Sequence, residues 1–219
     1  MNILAIETAT ETASVALKAG ATLLEEYATA GPARAESVLA MIPPLLARME
    51  IPLAALDVIA FGRGPGSFTG VRVAASVAQG LAFALDRPVA AVSSLRALAQ
   101  NAGSARVLAV IDARQDEVYY GYFAEEGGLL QPCGAEGLCA PDAVPAVPAP
   151  ADTAAVGSGA DRYAEVLQAR LGVAVRGGVT PTASAVALLA GDLAARGVLV
   201  AAEAALPVYL RDEVAKRPA

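Results

Sequence analysis

The sequence contains no histidine. That absence excludes Ser-His-Asp and Cys-His catalysis and the H-E-x-x-H zinc site, and it removes the side chain best suited to moving protons near neutral pH. Cysteine is nearly as scarce. Cys133 and Cys139 stand with five residues between them in a Pro/Gly-punctuated segment, which fits neither C-x-x-C nor a zinc ribbon; incidental residues are the main reading and a chance disulfide the alternative. Only two of the 16 basic residues are lysine, the arginines are scattered singly, and net charge is -6. An acidic chain without a basic stripe lacks the counterion release that supplies most non-specific nucleic-acid affinity. No run approaches the roughly 20 apolar residues of a membrane-spanning helix. The amino terminus has no basic region ahead of its apolar stretch, which Glu7 interrupts, so no signal peptide and a cytoplasmic home are expected.

What is present is 219 residues, 56% of them hydrophobic and with a mean hydropathy of +0.51, enough for one large domain or two small lobes. Asn2 to Glu7, Ser14 to Lys18 and Thr22 to Tyr27 read as an antiparallel meander. Ala35 to Met49 has helical spacing, and Pro43-Pro44 inside it predicts a kink or two short helices. Val58 to Phe61 reads as a buried strand, Thr69 to Leu85 as a helix capped by Ser67 or Thr69, Val89 to Val92 as a strand and Ser94 to Asn101 as a helix. Three strands, helix, strand, helix, strand, helix is the order of one lobe of the ASKHA (actin-like ATPase / ribonuclease H-like) α/β fold. A second lobe restarts at Arg106 with VLAVID and VYYGYFA. A proline-rich connection follows at Pro141 to Pro150, then a strand near Thr153, a helix capped by Asp161 and another capped by Thr182. Its elements look fewer, so the expectation is two lobes, 1–103 and a reduced 104–219.

Gly62, Gly64, Pro65, Gly66, Ser67, Phe68, Thr69 and Gly70 form a tight loop before a helix, either an anion or partner site or a plain strand-to-helix elbow. It lacks the Walker A lysine. The helix behind it has small residues on almost every face, so it is buried on more than one side; on the residues alone, packing within the chain is favoured over an interface. Glu7 and Thr8, Asp112, and Gly157 and Gly159 stand in order at strand ends where ASKHA enzymes hold metal, phosphate and adenosine. Acids and glycines at strand ends are also ordinary in α/β proteins. Tyr119, Tyr120 and Tyr122 read as strand residues rather than a base-stacking platform.

Four collinear blocks, ILAIETATETASVAL, FGRGPGSFTGVRVAASVAQGLA, VLAVIDARQDEVYYGYF and PVYLRDEVAKR, resemble the TsaB (YeaZ) family. The resemblance implies a pseudo-enzyme without catalytic residues, metal or cofactor, homodimeric alone and heterodimeric with its paralogue TsaD. In that family TsaC makes threonylcarbamoyl-adenylate, TsaD transfers the threonylcarbamoyl group to N6 of the adenosine beside the anticodon in tRNAs reading ANN codons, and TsaE is an ATPase that binds the pair. This chain would meet tRNA only through the complex, and no membrane is implied. The implied partner surface is the first two helices, assigned to Val38, Ile42, Leu45, Arg72, Ala75, Ala78, Gln79 and Ala82, with the nucleotide site vestigial. Two departures stand out: Arg34 replaces a usual histidine, and Pro43-Pro44 interrupts the first interface helix. An ATP-dependent transferase using Glu7 and Asp112, and more distantly a glycoprotease-like peptidase, are the competing functions.

Overall fold

The computed structural model describes residues 1–29 and 34–211. The first half builds β1 (Asn2–Glu7), β2 (Thr12–Ala19), β3 (Thr22–Thr29), α1 (Arg34–Arg48), β4 (Val58–Gly62), α2 (Phe68–Leu85), β5 (Val89–Val92) and α3 (Ser94–Gln100). Its sheet has the order β3-β2-β1-β4-β5, antiparallel from β1 outward to β3 and parallel through β4 and β5. Alternation along β1 and β2 sorts the apolar residues onto two faces. Leu4, Ile6, Val15 and Leu17 meet Val38, Ile42 and Leu45 of α1 and the alanines of α2. Ile3, Ala5 and Ala16 point the other way.

Two helical details matter. Ser67 caps α2 through its hydroxyl, which accepts from the Gly70 N–H, settling the choice between Ser67 and Thr69. α1 is one continuous helix despite Pro43 and Pro44, so of the kink or two short helices expected there the second is not found. The carbonyls that lose a donor belong to Leu39 and Ala40, which lie with both prolines on the exposed side, where solvent can satisfy them. The side chain of Arg34 lies outside the described residues. α2, against expectation, is long and apolar enough to cross a bilayer by length and composition alone; Val71, Ala74, Ala75, Ala78 and Ala82 are buried along it as in a core helix.

The second half contains β6 (Arg106–Arg114), β7 (Glu117–Glu126), β8 (Leu129–Pro132), β9 (Gly137–Cys139), β10 (Ala154–Val156), α4 (Ser158–Arg162), α5 (Ala164–Leu171), β11 (Ala174–Arg176) and α6 (Ala183–Ala195). Its order, β8-β7-β6-β10-β11, with β9 also on β7, repeats that of the first sheet. The sheet is therefore complete. What is missing relative to the first half is the helix between the third and fourth strands, whose place holds short 3-10 turns at Pro141–Ala143 and Pro150–Asp152. Asp161 is not a cap: it lies inside α4, and Tyr163 separates that helix from α5. Thr182 does cap α6, accepting from the Ala185 N–H. Cys133 and Cys139 are free thiols.

Two helices pack across the halves. Leu95, Leu98 and Ala99 of α3 pack on Val107, Ala109 and Ile111 of the second sheet. Val186, Ala187, Leu189 and Ala190 of α6 pack on the far face of the first. Each half lends a helix to the other, which ties the two sheets together around a cleft. At roughly 1.5–3 kcal/mol for each fully buried Leu, Ile or Val, these exchanged helices are substantial parts of both cores.

Candidate functional site

The loop after β4 is stitched in place by backbone hydrogen bonds. Arg63 N–H donates to Val92 O at 2.8 Å, Ser94 N–H to Gly64 O at 2.9 Å and Ser67 N–H to Ala9 O at 2.7 Å. Its glycines answer to close neighbours: a Cβ at Gly66 would lie 2.5 Å from Ala9 O, and one at Gly62 would lie 2.0 Å from Glu7 Oε2. Gly64 takes φ +94, open to glycine and strained for other residues.

Glu7 is fully buried. Its Oε1 accepts from the Ala9 N–H at 2.6 Å and its Oε2 from the Ser94 hydroxyl at 2.8 Å. Burial pushes its pKa up, opposed by those hydrogen bonds. Thr8 is equally buried, its hydroxyl donating to Gly70 O at 2.7 Å. These two residues brace the elbow and do not line the cleft, so the expected site is not assembled as a unit.

The cleft itself encloses about 690 Å³ between the lobes. Ala9, Thr10, Ser67 and Phe68 line it from the first half, Asp112, Arg114, Tyr119, Gly157 and Ser158 from the second, with Tyr209 and Arg211 beyond α6. Asp112 is already engaged: Oδ2 lies 3.1 Å from Arg162 Nη1, and Oδ1 accepts from the Arg114 N–H. Its own N–H donates to Ser158 Oγ. Gly157 and Gly159 let the turn into α4 press on β6, where their Cβ atoms would meet Val110 O at 2.4 Å and Val110 Cγ1 at 2.7 Å. Among the described residues no three acidic or cysteine side chains gather as metal ligands. Tyr119 reaches the cleft, whereas Tyr120 and Tyr122 pack on the opposite face of the second sheet.

A second surface lies on the outer side of α1 and α2, and the residues expected there need correction. Val38, Ile42, Leu45, Ala75, Ala78 and Ala82 are buried in the core of their own lobe. The reason is rotational: on α2 the alanines at 74, 75, 78 and 82 share one face, turned to the sheet. Gln79 sits at the border. Arg72 is exposed, but its Nε donates to the Tyr209 hydroxyl at 2.8 Å and its guanidinium lies 3.5 Å from the Phe68 ring centroid. The outward stripe instead carries Thr69, Arg72, Ser76, Gly80 and Phe83, spaced three or four residues apart. Phe83 is 84% exposed, and on α1 Leu39 is 48% exposed beside Pro43 and Pro44. Gly80 is the telling position: a Cβ there would meet nothing within 4 Å. No packing among the described residues demands glycine in the middle of this helix.

A family model described as TsaD, tRNA N6-adenosine threonylcarbamoyltransferase, matches residues 28–218. The tRNA threonylcarbamoyladenosine biosynthesis protein TsaB of Escherichia coli is 37% identical over 98% of this chain and 96% of its own length. Its counterpart from Haemophilus influenzae is 45% identical over 58% of this chain and 55% of that protein. The solved structure of YeaZ from Pseudomonas aeruginosa superposes with a TM-score of 0.90 at 45% identity, covering 95% of this chain and 99% of that one.

Proposed function

The chain belongs to the TsaB family, with a role in tRNA threonylcarbamoyladenosine biosynthesis, and on that premise we propose that it acts there as a non-catalytic subunit supporting the transferase TsaD. The observation that carries this reading is the outer face of α2. An exposed glycine in a helix interior is about 1 kcal/mol less favourable than alanine, and Gly80 gains no contact among the described residues in return. Small residues at Ser76 and Gly80 suit close approach of another helix, with the exposed Phe83 as anchor. The same face serves self-association when the partner is absent. The cytoplasm is the compartment that fits this role, and the acidic chain meets tRNA through the complex, with TsaE engaging the assembled pair.

The repeated strand order supports an ASKHA frame in which the chemistry of the cleft has been given up. Glu7 is turned inward onto Ala9 and Ser94, and Asp112 is paired with Arg162. An ATP-dependent transferase would need those carboxylates free, and a peptidase would need a base or zinc set that this histidine-free sequence does not supply. Calorimetric titration of the full chain with TsaD tests the proposal: a saturable complex is expected, and no heat of binding together with no co-migration on sizing would overturn it. In the same instrument Mg-ATP should give no saturable heat with the chain alone; a saturable signal revives the transferase.

A further inference from the structure

The residues after α6 return to the cleft and touch both lobes within four positions. On the first lobe, Val208 N–H donates to Arg63 O at 2.8 Å and the Tyr209 hydroxyl accepts from Arg72 Nε at 2.8 Å. The Tyr209 and Phe68 ring centroids lie 5.8 Å apart. On the second lobe, Arg211 pairs with Glu117 at 2.7 Å, and its guanidinium also donates to Ala113 O at 3.1 Å and to Gln115 Oε1 at 3.0 Å.

We propose that residues 208–211 are a clamp that fixes the separation of the two lobes and so holds the cleft at one opening. Chain length makes the argument. Three peptide steps span at most about 11 Å even when fully extended, so the lobes cannot move apart by more than the slack in this segment without breaking one anchor. Both ends are well held. The Arg211–Glu117 pair is largely shielded, with side-chain exposures of 20% and 34%. Another bridge between the lobes, Arg114 to Glu11, is 72% and 93% exposed and contributes little. The second-lobe anchor is also unusual. Arg114, Gln115 and Asp116 all take positive φ, at 63, 55 and 56, a conformation non-glycine residues hold only where their surroundings impose it. Arg211 grips that turn at Ala113 and Gln115, so the clamp and the strained hairpin hold each other.

Amide hydrogen exchange on the full-length chain tests it, comparing wild type with Arg211→Ala, Glu117→Arg and the charge swap Arg211→Glu/Glu117→Arg. Arg211→Ala should raise exchange about tenfold, the loss of a charged hydrogen-bonded pair, both in residues 111–118 and in the first-lobe loop 62–70. Far-UV circular dichroism should stay unchanged, and the charge swap should recover part of the protection lost in Glu117→Arg. Unchanged exchange in Arg211→Ala, or a rise confined to 111–118, would overturn the clamp, because Arg211 would then hold only its own hairpin. Spin labels at Thr22→Cys and Gln168→Cys, in a Cys133→Ser/Cys139→Ser background diluted with unlabelled chain, supply the separation directly. The distance distribution should broaden on Arg211→Ala, and an unaltered distribution contradicts the proposal.

Discussion

Replacing Gly80 separates what α2 does for its own lobe from what it does for a partner. Alanine at this site adds a methyl group into open space, since nothing lies within 4 Å of the new atom. The helix then gains the full difference between glycine and alanine, about 1 kcal/mol, with no steric term against it. For a chain of this size that corresponds to a rise of about 2–4 °C in Tm. Leucine has nearly the same helix propensity but projects well beyond the helix surface. If another helix packs closely there, the overpacking amounts to about 1–3 kcal/mol, or roughly 5- to 150-fold in Kd. Urea denaturation followed by circular dichroism, at concentrations where the chain is monomeric, reads the first effect; sedimentation and titration with TsaD read the second. The reasoning requires Gly80→Ala to stabilise the monomer and Gly80→Leu to weaken association while leaving the monomer folded. A destabilised Gly80→Ala monomer would refute the open geometry, and undiminished association of Gly80→Leu would refute the interface.

Three further outcomes follow from buried groups. Ala78→Arg, on the inner face, should lose more than about 4 kcal/mol of stability because it buries an unpaired charge; a soluble variant with wild-type melting would place Ala78 outside the core. Gly62→Ala should destabilise by about 1–3 kcal/mol through its collision with Glu7, and Glu7→Ala should relieve part of that in the double variant; strict additivity in urea melts would contradict the contact. Burial raises the Glu7 pKa above the ordinary 4.5, so the folded state holds that proton more tightly than the unfolded chain. Its contribution is fully present below 4.5 and disappears as pH rises through the raised value. Wild type should therefore lose stability relative to Glu7→Gln from pH 4.5 upward, and a pH-independent difference, or one of opposite sign, would be inconsistent with the burial.

Much of the architecture was legible in the sequence because period and punctuation agree with it. The strand NILAIE and the Thr182 cap reappear as read, and of the two caps offered for α2 the structure uses Ser67. The helix exchange was not legible. α3 and α6 are rich in alanine and leucine, and nothing in such a pattern says which of two sheets will receive them. The second half looked short of elements because β9 and β11 have three residues each, too few to establish a period. For the same reason the exposed face of α2 was not told apart from the buried one. With alanine, serine or glycine at nearly every turn of α2, the helical wheel has no polar side to mark the outside, and burial alone distinguishes Ala78 from Gly80. Phe83 was the available signal, as the one bulky aromatic between the middle of α2 and its end. The tail contacts of Tyr209 and Arg211 join positions some 100 residues or more apart along the chain, beyond any local pattern; the rest of that block, from Asp212, lies outside the described residues.

The central claim is that this chain works through partnership. Reconstituting threonylcarbamoyladenosine formation on an ANN-decoding tRNA with TsaC, TsaD and TsaE, with and without the chain, tests it most directly. Product should depend on the wild-type chain and fall with Gly80→Leu, yet persist with Asp112→Asn, which leaves the α2 face intact. Full activity without the chain, or abolition by Asp112→Asn in a folded protein that still binds TsaD, would contradict the account.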